Sequence, residues 1–555
     1  MSDIYLLPFL INYSKYILLF IVFFLLGRSF FLITNKLFNI DNHSDKEIFG
    51  TDITLFYPLV GIGFLGNIIF ITNFMLPVKS ILNFLIILSF ISINFLNKPR
   101  FDLFEKYKFY FYTIFLFIPL VLTSTNYSIQ FHYDAGYYHL NNQLWLYENP
   151  IVFGLSNVFS PYGIGSIYEY ISSFLWVDKS YISLHNVNLI FIWFFYSFIF
   201  YHLLIKKDSI HKFPSLFLLI FSLLDNFGLD GGRNGFFYIQ GVGKQDLAVG
   251  VLFFIVSYLI LSSIKHESFS LNEFSLISFL TLFSIQLKIS SVLIFLLYLV
   301  YVFKLLKTKK LIVNSYFLYS FIYIVFGILW IAKNLIISSC IVFPLHLSCL
   351  SFLPWFNSDF IKTTQEVTTA FSNSYVLGDS FIGWINAMMG TEEKRTVIIN
   401  FFSSLLIIYI LKILFLNIKK SKKNLSIIYS SFVVINLIYL IFFGPEPRYV
   451  IGLLLLIVSM TGVNAFEYKV YKLNKISIYI LIIISVILVP RINSYSYVNL
   501  SETPKINIEK INYTENQGDW VKPESGDQCW INKLCTMEKS KIKLVDNGLI
   551  KYYDQ

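Results

Sequence analysis

The sequence predicts an all-α fold, a polytopic transmembrane bundle of about 12–14 helices with extracytoplasmic loops and a short polar C-terminal tail. Three observations lead there. Of 555 residues, 56% are hydrophobic and only 14% charged, where a soluble domain carries about 25% charged residues. The apolar residues come in runs of about 20, the length that crosses a hydrocarbon core. Lys and Arg fall in short clusters between those runs, as in positive-inside loops. The clustering also answers the one rival suggested by the net charge of +10: no nucleic-acid-binding motif accompanies it, and no nucleic-acid partner is expected.

Fourteen runs are placed near 15–34, 54–76, 79–96, 108–124, 187–205, 213–225, 246–264, 273–287, 289–304, 316–336, 397–416, 424–443, 450–468 and 475–490. Several are short enough to be re-entrant. The first lacks a small-residue cleavage site and is too long for a signal-peptide core, so it reads as a retained helix. Five basic clusters set the sidedness: Lys98, Arg100, Lys106 and Lys108; Lys206, Lys207 and Lys212; Lys304, Lys307, Lys309 and Lys310; Lys419, Lys420, Lys422 and Lys423; Lys469, Lys472 and Lys475. All fall on one side, which is therefore read as cytoplasmic. Loops 125–186, 226–245 and 337–396, the tail 491–555 and the N-terminus then face the other side. Residues 1–104 read as N-terminal helices, 105–490 as the core with its loops. Heavy use of Phe, Ile, Asn, Lys and Tyr reads as the bias of an A/T-rich genome, so the expected location is a bacterial cytoplasmic membrane.

Four cysteines, Cys340, Cys349, Cys529 and Cys535, all lie in the external pieces, and disulfides persist in oxidising compartments. Four cysteines allow three pairings. The local pairs Cys340–Cys349 and Cys529–Cys535 are simplest, loop-to-tail pairing competes, and four free thiols is the remaining alternative.

The most informative stretch is Phe131-His-Tyr-Asp-Ala-Gly-Tyr-Tyr-His139, which sets Asp134 between His132 and His139 just beyond a span. A carboxylate at the membrane edge is suited to take a proton from an attacking hydroxyl. Nearby aromatics, Tyr138 among them, offer faces for a sugar. The structural alternative makes Asp134 a helix cap and the histidines interfacial. The i, i+2, i+7 spacing of His132, Asp134 and His139 is not a familiar zinc spacing, so no cofactor is expected; a divalent metal stays open without support. The second loop carries Asp230-Gly-Gly-Arg-Asn-Gly235 and Gly241-Val-Gly-Lys-Gln-Asp246. Asp246 is either a second acid or a cap favoured by the helix dipole, and Lys244 and Arg233 add charge near glycines whose N–H groups suit a phosphate. Lys288, Lys333 and Arg448 stand at outer helix ends, where a charge faces a cavity or partner or snorkels to the interface. Two prolines hold Arg448 in Gly444-Pro-Glu-Pro-Arg-Tyr449, well placed for a bidentate grip on lipid phosphate. Arg28, mid-helix, has no assignment beyond pairing or snorkelling.

The ordered set of His132–His139, Pro150-Ile-Val-Phe-Gly-Leu-Ser-Asn157, Gly243-Lys-Gln-Asp246, Lys288-Ile-Ser290, Lys333–Pro344 and Pro445-Glu-Pro-Arg448 resembles bacterial multi-pass proteins of surface polysaccharide synthesis. Those in turn resemble the GT-C superfamily of membrane glycosyltransferases, such as aminoarabinose transferases and protein O-mannosyltransferases, over roughly 105–460. The resemblance implies a polyprenyl-phosphate sugar donor used on the external face, Asp134 as the key acid, Asp246 as a second, and Lys333 and Arg448 on the donor phosphate. The chain departs from the pattern in having Asp-Ala where several such families have a carboxylate pair, and in the extra helices before 105. The expected function is transfer of that sugar to a glycan, lipid or protein acceptor. A polysaccharide polymerase or ligase, a flippase or transporter, and a non-catalytic scaffold are the alternatives.

Overall fold

A computed structural model describes residues 6–37, 47–96, 112–128, 131–178, 181–206, 210–225, 245–266, 270–308, 313–376, 381–415, 423–443, 447–463, 502, 511–515, 521–530, 534–536, 542–546 and 551–554. The chain is mostly helical. Among the described residues, six helices are long and apolar enough to cross a membrane: Leu7–Leu37, Ile182–Ile205, Asp246–His266, Ile289–Lys307, Ser320–Ser338 and Lys394–Ile413. Six shorter apolar helices, such as Tyr57–Thr72 and Leu271–Leu287, stand beside them. These are the dimensions and composition of a membrane protein. The last anticipated span, 475–490, lies outside the described residues, as do Lys244, Arg233 and most of the basic clusters.

Helix α1 (Leu7–Leu37) packs along α2 (Tyr57–Thr72) through glycine. A Cβ at Gly27 would run into the Tyr57 carbonyl, and one at Gly61 into the Phe23 carbonyl. The two backbones therefore touch, as small residues permit between helices in lipid. Arg28 neither snorkels nor sits alone: its Nη1 donates to Asn94 Oδ1 at 3.0 Å, and Asn94 Nδ2 donates back to Ser29 Oγ at 2.6 Å, joining α1 to α3 (Ile81–Leu96). Deeper in the bundle, Asn67 and Gln286 exchange two amide hydrogen bonds of 3.1 and 2.9 Å, so that this buried pair satisfies itself.

The helices leave two polar ends. One is a latch around the hairpin of β1 (Glu47–Ile48) and β2 (Thr51–Asp52), whose turn residues Phe49 and Gly50 have φ of 52° and 68°. Phe49 N–H donates to Glu273 at 3.2 Å. His211 lies between the Phe49 carbonyl and the Tyr258 hydroxyl, 2.6 Å from each. A carbonyl only accepts, so Nε2 donates to it and Nδ1 accepts from Tyr258. His202 bonds Thr51 at 2.9 Å, and Lys206 pairs with Glu47. The hairpin thus shares an end with the basic cluster at 206–212, as the sidedness reading requires.

The other end is a roof. The predicted loop 125–186 is largely structured there, with α4 (Leu140–Glu148) and α5 (Ile167–Phe174). Loop 337–396 likewise holds helices Ser358–Val376 and Phe381–Met388. Asn73, just past α2, ties down the segment after α4: its carbonyl accepts from Ile151 N–H at 2.9 Å, and its amide donates to Asn149 O at 3.0 Å. Cys340–Cys349 and Cys529–Cys535 are disulfide-bonded. The C-terminal tail is no loose appendage. Its two hairpins, Tyr513–Glu515 with Val521–Pro523 and Lys543–Asp546 with Lys551–Asp554, dock on the roof. Asn157 Nδ2 donates to Trp355 O and Tyr553 O, both at 3.0 Å, gathering two loops and the tail on one side chain.

Candidate functional site

The roof is built around the turn that carries Asp134. Residues Ala135–His139 form a single π-helical turn, closed by Leu140 N–H donating to the Ala135 carbonyl. Such turns insert an extra residue into a helix and recur at functional sites. Asp134 makes no side-chain cap, which removes the capping alternative, and its Oδ2 lies 3.1 Å from His132 Nδ1. His132 and Asp134 are both partly exposed.

Tyr138 marks where the charges meet. Burial, then the carboxylates of Asp134, Glu169 and Asp246, push its phenol well above the ordinary tyrosine value, and Arg448 pulls the other way. Four ionisable groups from separate parts of the chain thus act on one hydroxyl. Asp246, the first residue of α6 (Asp246–His266), is 6% exposed and is a paired acid: Lys288 Nζ is 2.5 Å from its Oδ1, and Arg448 Nη1 is 4.0 Å from its Oδ2. Both cations also lie over the Tyr449 ring, at 5.0 and 5.3 Å. Among the described residues two cations thus share one carboxylate.

Lys333, near the C-terminal end of α7 (Val313–Ser338), is fully buried, which excludes snorkelling. Its Nζ has no hydrogen-bond partner among the described residues and sits 3.7 Å above the Trp330 ring. It presses on Gly165, where a Cβ would collide with it. The next residue, Ser166, donates to Leu287 O at 2.7 Å, and Gln245 donates to the same carbonyl at 3.2 Å. One strap therefore links Lys333 to the corner holding Lys288 and to the start of α6.

His139 is 6% exposed, and its Nδ1 is bonded to Glu169 Oε1. Glu169 Oε2 accepts from Gln143 Nε2 at 2.8 Å, and Gln143 Oε1 accepts from Trp176 Nε1 at 2.9 Å. The sequence reading missed Glu169. Ser166-Ile-Tyr-Glu169 has the spacing of a helix-capping box, which hides the acid in a routine role; Ser166 does cap α5, but the Glu169 side chain turns to His139 instead. The tail covers the turn from outside. Cys529 and Trp530 N–H groups both donate to Gly136 O, at 2.7 and 3.0 Å, and a side chain at Gly136 would strike Gln528 and Trp530. Asn141 holds Trp530 O and Cys535 N–H, each at 3.0 Å.

Among the described residues no three His, Cys, Asp or Glu side chains gather to hold a metal. A surface groove of about 360 Å³ lined by Leu7, Leu10, Ile11, Ser14, Lys15 and Leu18 is apolar and shares no residue with the polar cluster.

Fold and site together define a helical membrane protein with a polar roof, in which carboxylates and cations from distant parts of the chain face one another. The chain belongs to a family described as a domain of unknown function, DUF8201, whose model matches residues 10–455. No curated protein and no solved structure matches the chain.

Proposed function

We propose that this protein is a membrane glycosyltransferase that moves a sugar from a polyprenyl-phosphate donor to a hydroxyl of a cell-envelope glycan, lipid or protein, on the extracytoplasmic face of a bacterial cytoplasmic membrane. What supports this reading is that the Asp134 turn, Asp246 and Arg448 all act on Tyr138, that Lys288 and Arg448 share Asp246, and that the buried Lys333 lies against Gly165, next to the Ser166 bonded to the Leu287 carbonyl. A buried amine with no counter-charge among the described residues is costly to ionise, and an anion arriving with the substrate would favour its charged form. The cations hold the donor phosphate and stabilise it as it leaves. The acceptor oxygen bonds to the sugar's anomeric carbon as the carbon–phosphate oxygen bond breaks. The hydroxyl proton passes to a base of the 132–139 turn.

Asp134→Asn, at wild-type membrane levels, is expected to abolish the surface polysaccharide product when cell-surface glycans are profiled. An unchanged profile would sink the transferase reading.

A further inference from the structure

We propose that His139 and Glu169 form a proton-transfer dyad, with His139 Nε2 the atom that takes the acceptor's proton. The inference rests on the transferase reading and replaces the simpler view of Asp134 as the base.

Three observations carry it. Glu169 engages Nδ1 of His139, which fixes the proton there and presents Nε2 with its lone pair. Nε2 makes no hydrogen bond among the described residues, and the His139 side chain keeps 8% of its surface exposed. Glu169 is itself fixed by Gln143, and Gln143 by Trp176, a chain with no other evident use than to hold the carboxylate in place. A histidine whose one nitrogen is oriented by a buried carboxylate, and whose other faces the reaction, is a recurrent arrangement for general-base catalysis. Asp134 is less suited, because its carboxylate already faces His132 at 3.1 Å. Groups facing the dyad are Tyr138, whose ring centroid is 4.0 Å from that of His139, and, through Tyr138, Asp134, Asp246 and Arg448.

In the step, the acceptor O–H bond breaks and an Nε2–H bond forms. The oxygen's electron pair makes the new bond to the anomeric carbon, and the donor phosphate leaves with the pair of the bond that breaks. Glu169 stays ionised against the imidazolium, which later loses its proton to water. Asp134 keeps its negative charge throughout, beside a sugar that gains cationic character.

Two measurements test this on the full chain in lipid nanodiscs and in cells. Diethyl pyrocarbonate, followed by peptide mass spectrometry, is expected to modify His139 in the folded protein, several-fold more slowly in Glu169→Gln. In cells, His139→Gln is expected to lower transfer by about 10²–10⁴-fold, seen as loss of the surface glycan, with Glu169→Asp retaining part of it. An unreactive His139, a reactivity indifferent to Glu169→Gln, or a wild-type glycan in His139→Gln overturns the dyad. If His139→Gln fails to accumulate, the labelling rates of wild type and Glu169→Gln decide. If Asp134→Asn also keeps the wild-type glycan, the transferase reading falls; if only His139→Gln keeps it, the dyad falls alone.

Discussion

At the scale of single residues, the sharpest anomaly is Lys333. Its buried amine lies against the Trp330 face and has no hydrogen-bond partner among the described residues; charged, that contact is worth about 2 kcal/mol when desolvated against a burial cost of several kcal/mol. Replacing it should therefore stabilise the apo protein. Lys333→Met is expected to raise the thermal midpoint in detergent by about 2 °C or more while abolishing the surface glycan; a lower midpoint would mean that the ammonium serves packing. The sequence pointed to this residue by its place at a helix end but not to its burial, which depends on Gly165 from another loop. Asp134, His132 and Tyr138 were legible because they crowd into eight residues. Glu169 was not, since its meeting with His139 is made by folding and its own neighbourhood spells a cap. Asp246 was legible as an acid at a helix start, yet the two cations that claim it come from 42 and 202 residues further along the chain.

At the scale of elements, the helices follow from apolar run length, and their ends agree with the sequence to within a turn or so in most cases. The exceptions are instructive. α1 begins eight residues before the run that announces it, because Leu7, Leu10 and Ile11 continue its apolar surface past the polar Asn12 and Ser14. Loops 125–186 and 337–396 hide amphipathic and polar helices that hydropathy alone does not separate from coil. The hairpin 47–52 was invisible: two residues per strand carry no periodicity, and what holds it is side chains from helices far away. That latch is sensitive to acid. Burial pushes His211 down to about 4, against the Phe49 carbonyl that raises it, with His266 and Lys206 adding to the depression. A histidine whose folded value lies below its unfolded 6.5 contributes stability above that value and loses it as pH falls toward 4. Amide exchange of Ile48–Asp52 is expected to accelerate between pH 6.5 and 4, beyond the intrinsic pH dependence, and His211→Gln should flatten that response; equal curves would clear His211 of the role.

At the scale of the whole molecule, charge clusters sort the chain into two sets of loops, most of whose basic residues lie outside the described residues, and contacts gather some described members of each set together. Hairpin 47–52 meets Lys206 in one set; residues 73, 146–166, 287, 336, 355, 529–530, 534–536 and 553 meet in the other. Which end faces which compartment is a matter of the basic residues. The sequence did not foretell that the tail would be part of the roof, because its partners are backbone carbonyls and amides with no sequence signature. The Cys529–Cys535 bridge closes the small loop whose backbone grips Gly136 and Asn141. Cys529→Ser with Cys535→Ser is expected to leave helix content by circular dichroism unchanged, expose 521–536 to limited proteolysis, and lower the glycan product; a tail as protease-resistant as wild type would show that the hydrogen bonds suffice.

The tail's placement has a consequence for biosynthesis. The Asp134 turn leaves the ribosome some 390 residues before Trp530, the residue whose backbone it holds. Every helix between them is made while that turn lacks its cover. A chain truncated by a stalled ribosome or an early stop before residue 529 would carry the bundle helices with the Gly136 carbonyl and the Asn141 amide lacking these tail partners.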